Sequence, residues 1–198
     1  ADAGADKHMG EDGRVGGRWV AGPVRGEAVG AGVNKKRTAI GALVLSAAGL
    51  IGLVSHEGYR DRAYVPIPGD RPTVGFGSTF NPDGSPVKMG DTVTPQKALR
   101  MTLAHVGKDE LNLKRCVTGE LSQAEYDLLV DFAYQYGSVA ACKSSMVRHI
   151  NVGNYAASCQ AYGQYHFAAG RDCSDPASRC RGVWLRSQER VTKCMEAQ

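Results

Sequence analysis

The chain has 198 residues, enough for one domain of ordinary size with a flanking segment. Apolar residues make up 42%, which fills a core and excludes wholesale disorder. The net charge of +4 suits anionic surroundings such as a cell wall or lipid headgroups, and the lack of long basic runs interleaved with aromatics argues against nucleic acid as a partner.

Residues 1–32 are rich in Gly, Ala and charge, lack apolar periodicity and read as a disordered leader. The opening Ala-Asp-Ala-Gly-Ala-Asp-Lys-His-Met reads as a cloning scar, with Met9 or Val33 as the natural start. Lys35, Lys36 and Arg37 then precede 18 uncharged residues, Thr38 to Ser55. As a helix these would span roughly 27 Å, just enough for a bilayer core. The basic triplet predicts N-in, C-out insertion. The segment is only weakly apolar, with Gly41, Ser46, Gly49 and Gly52 among its Leu, Ile and Val residues. A cleaved signal peptide, a buried core helix and an anchor marginal enough to leave the membrane are the competing readings. The last is preferred, with 33–55 as the anchor and 56–198 as a separate catalytic domain.

From Glu57 to Tyr64 the sequence predicts a short helix. Ala63-Tyr64-Val65 and Thr73 to Gly77 read as short strands around a Pro/Gly-rich turn, and Asn81-Pro82-Asp83-Gly84 as a further turn. Beyond Asp91 the pattern is helical. Thr94 caps a helix with Pro95 at its first position, and apolar residues recur at Leu99, Met101, Leu103 and Val106. Ser122-Gln-Ala-Glu125 is a capping box leading into Tyr126, Leu128, Leu129 and Phe132. Further helices are predicted over 143–151, 154–167 and 182–196. The fold class is α+β: a small β-hairpin lobe and a larger helical lobe, preceded by an N-terminal apolar helix.

Glu57-Gly58-Tyr59-Arg60, then Ala63-Tyr64, then Thr73-Val74-Gly75-Phe76-Gly77 resembles the motif of phage T4-type lysozymes, glycoside hydrolase family 24. That motif runs E-G, an aromatic, an Asp, then T-x-G-x-G. The likeness continues through Leu121 to Tyr134 and through Ser144-Ser145 to Tyr155, and more loosely at Leu185-Arg186-Ser-Gln-Glu189-Arg190. It extends over residues 57 to 195 and implies a lysozyme-like fold. It further implies an N-acetylmuramidase that cleaves the β-1,4 bond between N-acetylmuramic acid and N-acetylglucosamine in bacterial peptidoglycan. With the apolar segment, it resembles the signal-anchor-release endolysins. These imply transient contact with the host inner membrane through 38–55, then release to the periplasm as a monomer.

Glycosidic cleavage needs an acid to protonate the leaving oxygen and a second group to supply or orient the nucleophile. Glu57, just after the apolar segment, is the candidate acid, since partial burial there would hold it protonated near neutrality. Where the family places its second carboxylate this chain has Pro66, which cannot ionise. The next carboxylate is Asp70, assigned that role if the hairpin folds it back toward Glu57; the bland reading is a Gly69-Asp70 turn. Asp61 reads as a solvated helix residue. The resemblance gives Thr73 the task of holding the attacking water and implies inversion at the anomeric carbon. Gly75 and Gly77, alternating on a strand, would let a sugar or another backbone approach closely. No metal and no cofactor are expected, because no ligand spacing such as H-E-x-x-H occurs.

The six cysteines, all after residue 115 and without a C-x-x-C pair, read as disulfides in an oxidising compartment. Cys173 and Cys180 flank Asp175-Pro176, Cys159 and Cys194 fall on two predicted helices, and Cys116 and Cys142 bracket the central helix. The expected pairs are 116–142, 159–194 and 173–180. Two other functions are kept open: a lytic transglycosylase, which needs only one glutamate, and a non-catalytic, membrane-tethered wall-binding module.

Overall fold

Hydrogen bonds to carboxylates far away in the sequence decide how the apolar segment folds. The computed structural model describes residues 36–66, 69–168 and 170–198. The leader over 1–32, both candidate starts and residues 33–35 lie outside the described residues. Thr38 to Ser55 does not form the single helix expected of an anchor. Thr38–Ala39 is strand β1, Ile40–Ala42 is a 3₁₀ turn, and helix α1 covers only Ala47–Glu57. Carboxylates of the domain take the backbone donors that a longer helix would use. Glu110 accepts from Leu45 N at 2.7 Å, and Asp127 accepts from Ser46 N at 3.0 Å. Ser46 then caps α1 by accepting from Gly49 N at 3.0 Å. Among the described residues no helix is long and apolar enough to cross a membrane. Ile40, Leu43 and Leu53 instead join the main core of the helical lobe, so in this state the segment is not a separate domain.

The helix expected over 57–64 is absent. Gly58, at φ +67°, ends α1, and Arg60–Tyr64 forms strand β2. Strand β2 pairs antiparallel with β3 (Thr73–Gly75), in register Arg60 with Gly75 and Tyr64 with Thr73, with a bulge between. Residues 91–93 flank β2 on its other edge, Ala63 N donating to Asp91 O and Val93 N to Asp61 O, both at 2.9 Å. Ala63, Val74, Val87, Val93, Ala98 and Met101 form the small core of this lobe.

Helix α2 (Pro95–Cys116) joins the lobes. Thr94 accepts from Lys97 N at 3.3 Å, and Pro95 sits in the first turn as expected. Ala98 and Met101 belong to the β-lobe core, while Val106 and Leu113 belong to the helical core. A short strand β4 (Glu120–Leu121) pairs with β1, Thr38 opposite Leu121. Helix α3 (Gln123–Tyr136) starts at the capping box, Ser122 N donating to Glu125 at 2.8 Å. Its Tyr126, Leu129, Val130, Phe132 and Ala133 are fully buried. With most of its residues buried, α3 is the lobe's central rod.

The C-terminal pieces differ from expectation in two places. Helices α4 (Ser138–Lys143) and α5 (Ser145–Asn151) separate at Ser144, which caps α5 by accepting from Val147 N at 3.2 Å. Helix α6 (Tyr155–Ala161) stops short of 167 and gives way to a 3₁₀ turn, Tyr162–Gln164. A hairpin of β5 (Phe167–Ala168) and β6 (Arg171–Asp172) follows, turning through Gly170 at φ +75°. Tyr162 O spends its acceptor capacity on Tyr165 N and the Ser187 hydroxyl instead of continuing the helix. Helix α7 (Arg181–Glu196) closes the lobe. The disulfides are Cys116–Cys142, Cys159–Cys194 and Cys173–Cys180, with Cα separations of 5.7, 5.2 and 4.9 Å, the pairs that cysteine placement predicts.

Candidate active site

Glu57 is the last residue of α1, fixed there by fully buried Leu53 one turn earlier and by the positive-φ Gly58 one residue later. Its side chain is 22% exposed. One oxygen is taken: Arg186 of α7 donates from Nη1 to Glu57 Oε1 at 2.7 Å. The other Nη of Arg186 donates to Asp131 Oδ1 at 2.7 Å, and Arg190 donates from Nε to Asp131 Oδ2 at 2.7 Å. Arg190 also reaches Gln135 Oε1 at 2.7 Å. Burial opposes the charge on Asp131, yet the two guanidiniums outweigh it and hold the carboxyl below the ordinary carboxylate range. Burial also opposes the charge on Arg186, and Asp131 with Glu57 more than restores it. The result is a charged frame from α3 and α7 that fixes the Glu57 carboxylate at the end of α1.

The second oxygen, Glu57 Oε2, faces the hairpin. A Cβ built on Gly77 would lie 3.2 Å from it, and Gly77 has φ +83°. Gly75 plays a different part: it is buried, and a Cβ there would lie 2.8 Å from Ala98 Cβ, so the close approach at Gly75 is that of α2. Tyr134 of α3 donates to Phe76 O at 2.6 Å and ties this stretch to the helical lobe. Tyr59 donates to Val93 O at 2.6 Å, and its ring packs on Phe76 at 5.5 Å. Thr73 is buried, its hydroxyl donating to Arg71 O at 3.1 Å.

Asp70 is exposed in the turn, its Oδ1 accepting from Arg71 N at 2.8 Å. Among the described residues no hydrogen bond or ion pair links Asp70 to Glu57 or to Thr73. Asp61, expected on a helix, is exposed on β2. The structure thus brings Glu57 and Gly77 together and leaves Asp70 on the hairpin turn. Among the described residues no group of three or more His, Cys, Asp and Glu side chains is placed to hold a metal ion.

Sequence reasoning assigned no role to Arg186, Asp131 or Arg190. The signal was present: Asp131 interrupts an apolar run, and Arg186 and Arg190 share one face of a helix at i, i+4 spacing. A charge inside an apolar stripe calls for a partner of opposite sign.

A two-lobed molecule with a carboxylate at the end of its first helix, a glycine-bearing hairpin beside that carboxylate and a helical lobe behind it has the lysozyme fold. The phage lysozyme family model matches residues 54–186, and the chain belongs to that family. It is a peptidoglycan hydrolase of the endolysin kind, acting in host cell lysis. It is similar to the endolysin of Salmonella phage P22, 31% identical over 118 residues, 60% of this chain and 80% of that one. It is similar also to the SAR-endolysin of Pseudomonas phage phiKMV, 32% identical over 61% of this chain and 71% of that one. The solved endolysin from Escherichia coli O157:H7 phage FAHEc1 superposes with a TM-score of 0.68 at 26% identity, covering 79% of this chain and 96% of that one.

Proposed function

We propose that the enzyme is an N-acetylmuramidase that cleaves the β-1,4 bond between N-acetylmuramic acid and N-acetylglucosamine, with Glu57 as general acid. The observation that carries this reading is the asymmetry of the Glu57 carboxyl: Arg186 holds Oε1, while Oε2 faces Gly77 with no side chain between them. Oε2 is the oxygen that delivers a proton to the leaving glycosidic oxygen. Thr73 orients the attacking water and Asp70 takes the water's proton, a part consistent with its place in the hairpin turn. The test is the clearing of outer-membrane-permeabilised Gram-negative cells by wild type and by Glu57→Gln. Loss of a general acid removes about 10²–10⁴-fold in rate. Mutant activity within a few-fold of wild type overturns the assignment.

One observation favours a second reading. Asp70 is exposed and tied to its own neighbour, an arrangement that suits a lytic transglycosylase working with Glu57 alone. Mass spectrometry of the released muropeptides separates the two, because transglycosylation yields products lower in mass by one water.

We propose further that Thr38 to Ser55 anchors the enzyme N-in, C-out in the inner membrane before it reaches the periplasm. Glu57 lies two residues beyond the segment, so embedding it presses the site against the bilayer. No cysteine in this sequence precedes Cys116, so exchange with an anchor thiol plays no part. Gly52→Leu is the clean test. A Cβ at Gly52 meets nothing within 4 Å, whereas one at Gly49 would lie 2.7 Å from Asp127 Cγ and from Leu45 Cδ1 and so disturb the docked state itself. The added leucine strengthens insertion. Retention of Gly52→Leu in the membrane fraction with delayed lysis is the expected outcome, and normal release and lysis would refute the anchor.

A further inference from the structure

Helix α2 turns a face of one charge to solvent. At about 100° per residue, Arg100, Leu103, Lys108, Leu111, Lys114 and Arg115 fall within one arc of about 140°. Ala98, Met101, Thr102, Val106, Asp109 and Leu113 take the opposite arc, and all of them are buried. The helix has two carboxylates, and neither stands on the outer face. Asp109 is 5% exposed. Glu110, at the edge, accepts from Leu45 N and from the Tyr126 hydroxyl, both at 2.7 Å. Among the described residues Arg100, Lys108 and Lys114 make no hydrogen bond or ion pair. Arg115 reaches only Asn112 Oδ1 of its own helix, at 3.5 Å. Lys97, nearer the helix start, shares a recess with Asp83 and Asp91 and is left out of the face.

Two leucines stand among these cations. Leu103 is 48% exposed and Leu111 is 61% exposed. They lie about two turns apart, with the small Ala104 and Gly107 beside them, so each side chain projects from the surface. A soluble polyanion would engage the cations and leave the leucines in water. A phospholipid surface uses both: headgroup phosphates take the guanidinium and ammonium groups, and the boundary with the acyl chains takes the leucines.

We propose that this face seats the folded enzyme on an anionic phospholipid bilayer, with α2 lying along the headgroups. The face lies outside residues 38–55, so the contact stands whether or not those residues served as an anchor. Its position also sets the direction of the candidate site. Gly75 packs on Ala98, on the buried side of α2, and Gly77 two residues on faces Glu57. An enzyme seated through the outer face of α2 therefore keeps the Glu57 side turned away from the bilayer.

The test is flotation of the purified full chain with vesicles of phosphatidylethanolamine and phosphatidylglycerol, compared with vesicles of phosphatidylcholine alone. Binding to the anionic vesicles is expected, with little to the neutral ones. It should fall as salt rises from about 0.1 M to about 1 M, where the screening length shrinks from about 10 Å to about 3 Å. Each cation at an anionic surface strengthens binding about fivefold, equivalent to about 1 kcal/mol. Arg100→Gln/Lys108→Gln/Lys114→Gln should therefore weaken the partition about 100-fold. Leu103→Ser/Leu111→Ser should weaken it about 10-fold. Neither variant should move the melting temperature by more than about 2 °C, because these side chains make no bonds in the folded domain. Residues 38–55 are identical throughout, so insertion by that segment would persist in both variants. Unchanged partition in the charge variant, or equal binding to the neutral vesicles, overturns the proposal. The same holds if the leucine variant binds vesicles like wild type while the charge variant, carrying Glu57→Gln, loses binding to purified peptidoglycan sacculi. That result would give the face to an anionic polymer instead.

Discussion

Arg37 is one of the residues that fasten the N-terminal segment to the folded domain, and its removal has a calculable effect. Its guanidinium donates from Nη2 to Glu125 Oε1 at 2.7 Å and from Nε to Glu125 Oε2 at 3.0 Å. It also reaches Gln198 Oε1 at 2.6 Å and lies 3.6 Å over the Tyr155 ring. The side chains are 25% and 5% exposed, so the pair is mostly, not wholly, desolvated. Breaking a fully buried pair costs about 3–5 kcal/mol. Glu125 keeps Ser122 N at 2.8 Å and Gln198 Nε2 at 2.9 Å, so about 2–3 kcal/mol is the better figure for Arg37→Ala. For a domain of this size that lowers the melting temperature by roughly 4–12 °C at pH 7. The pH dependence has a definite sign. Burial raises the Glu125 carboxyl, and Arg37 with Ser122 lowers it further than burial raises it, for a net depression. The contribution of the pair is therefore present above the unfolded carboxylate pKa of about 4.3 and is lost as pH falls through the lower folded value. Thermal melts by circular dichroism should show the gap between wild type and Arg37→Ala closing between pH 5 and pH 2.5. A variant within about 1 °C of wild type at pH 7, or a gap independent of pH, would refute the fastening role.

Asp70→Asn should lose most peptidoglycan hydrolysis, and Asp61→Asn should keep it; exchanged phenotypes in the turbidity assay would show that the second carboxylate is misplaced. Proton NMR of the initial product should show inversion at the anomeric carbon. Gly77→Ala forces a Cβ to 3.2 Å from Glu57 Oε2 at φ +83° and should depress activity more than stability, whereas Gly75→Ala meets Ala98 at 2.8 Å and should destabilise the β lobe. Comparing kcat with the melting temperature for the two separates these effects. The bridges close 26, 35 and 7 residues, which on the chain-entropy model stabilise by about 3.5, 4 and 2.5 kcal/mol for Cys116–Cys142, Cys159–Cys194 and Cys173–Cys180. Paired serine variants should lose most stability at Cys159–Cys194 and least at Cys173–Cys180 in urea melts, and the 173–180 pair being the most costly would contradict it.

Helices α2 and α3 were legible because their start signals act within four residues. Thr94 reaches Lys97 N and Ser122 exchanges bonds with Glu125 whatever the rest of the chain does. The disulfide pairs were legible for a related reason: Cys173 and Cys180 flank a local turn signal, Cys159 and Cys194 fall on two predicted helices, and Cys116 and Cys142 bracket the central one. The path of residues 38–57 was not. Its local composition is compatible with a long apolar helix, and only carboxylates more than sixty residues away, Glu110 and Asp127, divert the backbone donors of Leu45 and Ser46. Glu57 itself stands out in sequence by its motif, but the partner of its Oε1 is 129 residues downstream. Sequence alone thus determined the lysozyme-like α+β class, the candidate acid and the cysteine framework, because motif, capping and periodicity are local. Tertiary structure decided which arginine holds Glu57, which glycine faces it and where the apolar segment rests. Those outcomes depend on how α1, α3 and α7 pack, and a buried charge takes whichever opposite charge that packing brings within reach.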